Sequence, residues 1–193
     1  MVSAEDVLRI YQLLSTHRIR VWLTGGWGID ALLGEQTRPH KDLDLIMLLD
    51  DVPGMWKILR QDSYRLKELW SENLWAIDSH GNKIATAFVL QDSDGRQLDA
   101  HAMRLDDRGN GLPAWEVLEG FVFNSQDLAG LGRISGFAVW CITPEMQMLL
   151  HTGYELPDQQ LRDLERLHEK FGVGYPTEYY RLRPTGAGGL DTA

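Results

Sequence analysis

The segment Asp42-Leu43-Asp44-Leu45-Ile46-Met47 constrains this 193-residue chain more than any other feature. Its alternation has the period of a β-strand, with Leu43, Leu45 and Met47 on one face and Asp42 and Asp44 on the other. Two ionised carboxylates about 7 Å apart on one strand face repel each other, and a core does not reward that arrangement. Exposed edge strands carry such pairs. So do sites where a divalent cation neutralises them, with water and substrate phosphates completing its shell. Upstream, Gly25-Gly26 stands ahead of a helical stretch over 27–33 that Gly34 ends, and a polar loop over 35–41 follows. A Gly-Gly turn before a helix lets phosphate oxygens approach backbone N–H groups and the positive end of the helix dipole.

The remaining pattern places these segments in a fold. Ser3 and Asp6 form a capping box with Asp in place of Glu or Gln, opening a helix over 4–16. A short strand over 21–24 runs into the glycines, and Pro53 opens a helix to about 61. Strands over 74–77 and 84–90 flank the turn His80-Gly81-Asn82, and Asp92-Ser93-Asp94-Gly95 turns the chain into a strand over 97–103. A loop over 106–111, a strand over 121–124 and a glycine-rich loop between short strands at 130–136 follow. Thr143-Pro144 starts a helix to 151, and Pro157-Asp158 starts another carrying Leu161, Leu164, Leu167 and Phe171. This order predicts an α+β fold, a mixed β-sheet flanked by helices with a helical C-terminal portion. The expected division is a catalytic domain over 1–142, a helical portion over 143–183 packed on it, and a flexible tail over 184–193.

Composition narrows the function classes. Twenty-eight acidic residues against nineteen Lys and Arg give a net charge of −9, which disfavours a nucleic-acid partner and suits a cationic small molecule. The single cysteine, Cys141, excludes an intramolecular disulfide, argues against a Cys-based zinc site and reads as core packing within an apolar run. Residues 1–20 show no apolar leader, and no run approaches 18 apolar residues, so neither a membrane span nor a membrane partner is expected and a cytoplasmic location is.

The longer run Trp22-Leu23-Thr24-Gly25-Gly26-Trp27-Gly28-Ile29-Asp30, then Thr37-Arg38-Pro39-His40-Lys41-Asp42-Leu43-Asp44-Leu45, is a sharper signal. Residues 27–41 separate the glycines from Asp42. The run resembles the polymerase-β-like nucleotidyltransferase superfamily, and within it the small antibiotic-modifying branch of aminoglycoside 2″- and lincosamide nucleotidyltransferases. The resemblance is carried by about residues 20–48 and continues weakly through Asp99 and the helices after Pro144.

That resemblance implies a third carboxylate on a neighbouring strand. Asp99 is the candidate, since Leu98, Ala100 and Ala102 form an apolar face and leave Asp99 and His101 on the other. It further implies Asp42, Asp44 and Asp99 as catalytic, metal-binding carboxylates for two Mg²⁺ ions, with Asp99 also taking the proton of the acceptor hydroxyl. ATP or another NTP is the implied co-substrate, with Gly25, Gly26, Arg38 and His40 as nucleotide-binding residues. Arg38 offers guanidinium geometry to phosphate, whereas His40 either contacts phosphate or orders the loop. The implied acceptor is a hydroxyl of an aminoglycoside or lincosamide antibiotic, hence resistance, in a monomer or homodimer. Transfer to a protein or tRNA acceptor is the alternative chemistry, and a non-catalytic nucleotide-binding partner is the alternative class. Asp30 reads as a loop anchor, and Trp27, Trp70 and Trp75 as core residues or stacking walls. The C-terminal acids Glu145, Glu155, Asp158, Asp163, Glu165 and Glu169 read as a solvated face, unless a polycationic acceptor needs some of them in the cleft.

Overall fold

In a computed structural model, which describes residues 1–152 and 156–175, Ser3 caps the first helix, α1 (Ala4–Thr16), in a full capping box with Asp6. The Asp6 N–H donates to Ser3 Oγ at 3.2 Å, and the Ser3 N–H donates to Asp6 Oδ2 at 3.0 Å. Then come β1 (Val21–Thr24), α2 (Gly25–Leu33), β2 (Asp42–Leu48), a 3₁₀ turn at Leu49–Asp51 and α3 (Val52–Gln61). The middle of the chain supplies β3 (Arg65–Leu69), β4 (Trp75–Ile77), β5 (Lys83–Ala85), β6 (Ala87–Gln91), β7 (Gln97–Leu105) and β8 (Gly111–Pro113). It ends with β9 (Gly130–Ile134), β10 (Phe137–Cys141), α4 (Pro144–Leu150) and α5 (Asp158–Phe171).

An eight-stranded mixed sheet runs β3-β6-β7-β2-β1-β10-β9, with β8 paired to β7, while β4 and β5 pair separately. β2 lies parallel to β7 and antiparallel to β1. This is the α+β architecture that the sequence predicts. Leu23, Leu43, Leu45, Met47, Leu98 and Ala100 bury one sheet face in the main core with α1, α2 and α3. On the other face Trp22, Ile46, Met103, Phe123, Ile142 and Met146 form a smaller cluster. Cys141 is buried, and burial pushes its thiol pKa up to about 12, as expected of a packing residue. Among the described residues no helix is long and apolar enough to cross a membrane.

The structure differs from the sequence reading at four places. The sequence does not predict β3: all five of its residues are exposed at the sheet edge, so no apolar alternation marks it. The strand expected over 84–90 is divided at Thr86. That residue's N–H donates to Asn73 Oδ1 at 2.7 Å, and its hydroxyl donates to Leu74 O at 2.7 Å. At 121–124 a single bridge joins Phe123 to Gly111, and part of the expected loop before it forms β8. Gly130–Ile134 is a strand paired antiparallel with β10, and its glycines let α2 pack directly on it, since a Cβ on Gly132 would collide with Ala31. The tail expected over 184–193 lies outside the described residues.

Arg96 ties the β6–β7 turn to α1. Its guanidinium donates to Asp92 Oδ2 at 2.7 Å, Asp94 Oδ2 at 2.7 Å and Asp6 Oδ1 at 2.9 Å. Burial opposes ionisation of Asp6 and Asp92. The donors from Ser3 and Arg96 outweigh it, and both carboxyls titrate below their ordinary value of 3.8. The folded state therefore binds these protons less tightly than the unfolded chain, so this stability is complete above about pH 4 and is lost as pH falls further. Arg96→Ala is expected to cost about 1–2 kcal/mol at neutral pH, since solvent screens part of the network, and to flatten the acid limb. Urea unfolding at pH 7 and at about pH 3 measures both effects, and an acid limb as steep as the wild type's contradicts the assignment.

Candidate active site

Strand register gathers the candidate residues. Thr24 of β1, Asp44 of β2 and Asp99 of β7 stand at one level on adjacent strands, and Asp42 stands opposite Gln97. Asp42, Asp44 and Asp99 line a cleft of about 750 Å³ together with Gly25, Gly26, Arg38 and His40. All seven residues expected to bind metal or nucleotide therefore line one cavity. Trp70, Glu72, His101 and Trp115 add to its wall, and Leu150, His151 and Gln160 reach it from the C-terminal helical region.

The glycine pair has a local reason. Gly25 begins α2 with φ +57°, and a Cβ there would collide with the Asp44 carboxylate. A Cβ on Gly26 would collide with the His40 ring. His40 is only 2% exposed, with Nε2 on Asp30 Oδ2 and its ring tilted against Trp27 at 4.9 Å. Asp30 also accepts from the Thr37 N–H at 3.1 Å and the Thr37 hydroxyl at 2.6 Å, so it anchors the 34–41 loop. Of the three tryptophans named from the sequence, Trp27 is core, Trp75 is 53% exposed away from the cleft, and Trp70 lines the cleft.

Asp99 is held from two sides. Trp70 Nε1 donates to its Oδ1 at 2.9 Å, and His101 Nδ1 lies 3.4 Å from the same oxygen. His101 Nε2 lies 3.3 Å from Glu72 Oε1, and Trp115 meets the His101 ring edge-on at 5.0 Å. The His101 bond holds the Glu72 carboxyl down at about 2 despite partial burial. Burial, then the charges of Asp42 and Asp99, push the Asp44 carboxyl well above its usual range, and Arg38 offsets this only in part. Burial likewise raises Asp99, against the pull of His101 and Trp70. His151 is lowered by burial, and its Nδ1 lies 2.7 Å from Gln147 O.

Three residues escaped the sequence reading. Glu72 follows the unmarked edge strand β3, and Trp115 belongs to an irregular segment, so neither carries a local signal. The sequence reads Asp163 as one of the solvated acids. Instead it is buried and accepts from Arg38 Nε at 2.9 Å and Nη2 at 2.8 Å. Its place four residues before Leu167, on the apolar stripe of α5, was the available signal. Carboxylate oxygens are hard donors suited to a divalent cation. Among the described residues, however, no three His, Cys, Asp or Glu side chains form a group that could hold a metal ion on its own.

Residues 6–167 match the model of a family described as aminoglycoside-2″-adenylyltransferase. Over 166 residues, 86% of this chain and 94% of the relative, the sequence is 25% identical to a lincosamide resistance protein of Staphylococcus haemolyticus. A 2″-aminoglycoside nucleotidyltransferase of Klebsiella pneumoniae is 40% identical over 47 residues, 23% of this chain and 27% of that protein. Among solved structures, the lincosamide antibiotic adenylyltransferase LnuA with lincomycin bound gives a TM-score of 0.71 at 26% identity, covering 86% of this chain and 96% of that one. ANT(2″)-Ia in complex with adenylyl-2″-tobramycin shares the fold, with a TM-score of 0.62 at 19% identity over 88% of this chain and 89% of that one.

The raised Asp44 pKa bears on stability. The folded protein binds that proton more tightly than the unfolded chain, so ionised Asp44 costs stability at neutral pH and the cost is relieved as pH falls. Asp44→Asn is expected to raise Tm at pH 7 in the presence of a chelator, and to lower nucleotidyl transfer at least about 10²-fold. Differential scanning fluorimetry beside a turnover assay measures the two. A destabilised variant, or one with normal turnover, contradicts the electrostatic account.

Proposed function

Because this chain belongs to the aminoglycoside-2″-adenylyltransferase family, we propose that it transfers the nucleoside monophosphate of an NTP, ATP first among them, to a hydroxyl of a small-molecule antibiotic. The observation that carries this reading is the level of Asp44 and Asp99 on neighbouring parallel strands, with Asp42 beside them and Arg38 in the same cleft. Asp42, Asp44 and Asp99 would hold Mg²⁺, two ions in all. That ion takes one or two carboxylates and completes its shell from water and phosphate oxygens, so a prebuilt protein cage is not required. When bound, the ions supply positive charge at the α-phosphate and the departing pyrophosphate.

The chain's own groups do the rest. Asp99 takes the acceptor proton on Oδ2, the oxygen that neither Trp70 nor His101 approaches, while those two side chains fix the carboxylate through Oδ1. As the acceptor oxygen bonds to the α-phosphorus, the bond from that phosphorus to the bridging oxygen breaks and pyrophosphate leaves. Arg38 and the backbone at Gly25-Gly26 face the phosphates and stabilise their charge.

A lincosamide is the first acceptor we assign. Trp70, Trp115, Ile46 and Leu150 give the cleft aromatic and apolar surface, and Glu72 adds a single negative charge beside them while His101 and Ser71 occupy its oxygens. None of the described C-terminal acids lines the cleft, and Asp163 is taken up by Arg38. A polycation would want several of them there. The family description and the 47-residue match to the 2″-aminoglycoside enzyme favour an aminoglycoside as the second reading.

Incubation with ATP, Mg²⁺ and a panel of lincosamides and aminoglycosides, followed by mass spectrometry, is expected to show a gain of one AMP on a lincosamide. No adduct on any member contradicts the reading. Asp99→Asn is expected to keep Mg·ATP binding by calorimetry while turnover falls by about 10²–10⁴. Normal turnover in that variant would place the base elsewhere.

A further inference from the structure

We propose that Asp163 of α5 is a positioning residue for nucleotide binding: it grips the Arg38 guanidinium along its Nε–Nη2 edge and turns the remaining N–H groups to the triphosphate. The proposal rests on the reading of the cleft given above. Both contacts fall on Asp163 Oδ2, at 2.9 and 2.8 Å, and the Asp163 side chain is 4% exposed against 24% for Arg38. The aspartate is thus sealed behind the arginine, and the arginine alone of the pair lines the cleft.

The guanidinium carries five N–H groups. Asp163 takes the Nε–H and one Nη2–H, which leaves the second Nη2–H and both on Nη1, the latter only loosely shared with Pro39 O at 3.4 Å. Arg38 remains electrostatically active in the cleft, since its charge is felt at Asp44. A free arginine side chain must be ordered when phosphate binds; here the fold has already ordered it. The loop that carries Arg38 is fixed twice, by Asp30 at Thr37 and His40 and by Asp163 at Arg38 itself.

Stability alone is a weak reason for this pair. Leu164 and Leu167 already bury α5, and α5 packs on α2 and α4. A buried ion pair contributes little beyond what an apolar pair of similar size would. What the carboxylate adds is a fixed direction for a cation. The last described helix thereby becomes part of the nucleotide subsite, although Asp163 lies 125 residues from Arg38 in the chain.

Calorimetric titration of Mg·ATP into the full chain, wild type beside Asp163→Asn, Arg38→Gln and the double variant, tests this. Asp163→Asn is expected to weaken nucleotide binding about tenfold, the weight of a charge-assisted hydrogen bond, and to raise the NTP KM with little change in acceptor KM. In the Arg38→Gln background the same change is expected to cost nothing further. Unchanged or tighter binding by Asp163→Asn overturns the proposal, as do losses that simply add. Should Asp163→Asn fail to fold, Arg38→Lys serves instead: it keeps the charge, cannot be gripped along an edge, and is expected to weaken binding similarly. Wild-type affinity in Arg38→Lys overturns the proposal. A wild type that binds no Mg·ATP overturns the reading of the cleft and the proposal with it.

Discussion

Three carboxylates repel one another on one face of a sheet, and the surrounding structure is arranged to hold them there. Asp44 and Asp99 share a level because β2 and β7 pair in parallel register, and Asp42 follows from the two-residue period of the same strand. The opposite face of β2 is Leu43, Leu45 and Met47, all buried. Burying such side chains stabilises by about 1.5–3 kcal/mol each, which sets the strand's depth and offsets the cost of the charges. Gly25 is a glycine because Asp44 occupies the space its side chain would need. Arg38 relieves part of the repulsion, and a cation with bound phosphates would relieve the rest.

Around this centre lie supports that act on single atoms. Trp70 and His101 hold one oxygen of Asp99, and Glu72 holds His101 in turn. Asp30 secures the loop that delivers Arg38, and Asp163 secures the guanidinium. The two acids that fix the loop come from α2 and α5, on opposite sides of it in sequence. Nucleotide affinity is therefore coupled in this account to how α5 docks on α2 and α4, a coupling that no single loop could provide.

The centre was legible in the sequence because its cause is local. Alternation fixed the faces of residues 42–47 and 97–103, the Asp92-Ser93-Asp94-Gly95 turn set the start of β7, and the glycine pair marked the entry to α2. Whatever depends on distant packing was not legible. β3 carries no alternation because neither of its faces is buried. Thr86 divides a strand through bonds to Asn73 and Leu74 more than ten residues away. Glu72 and Trp115 reach the cleft from irregular segments, and Asp163 is distinguished from its acidic neighbours only by what α5 rests against. Glycines read as making room for phosphate also make room for Asp44 and His40.

The proposed role of the carboxylate wall is that of a cation and nucleotide site held in place against its own repulsion. Thermal stability as a function of Mg²⁺ concentration, with and without ATP, tests it most directly. The account predicts a Tm that rises with Mg²⁺ alone, rises further with Mg²⁺ and ATP together, and responds to neither in Asp42→Asn, Asp44→Asn double variants. A wild-type Tm indifferent to Mg²⁺ and ATP, or an equal response in the double variant, would contradict it.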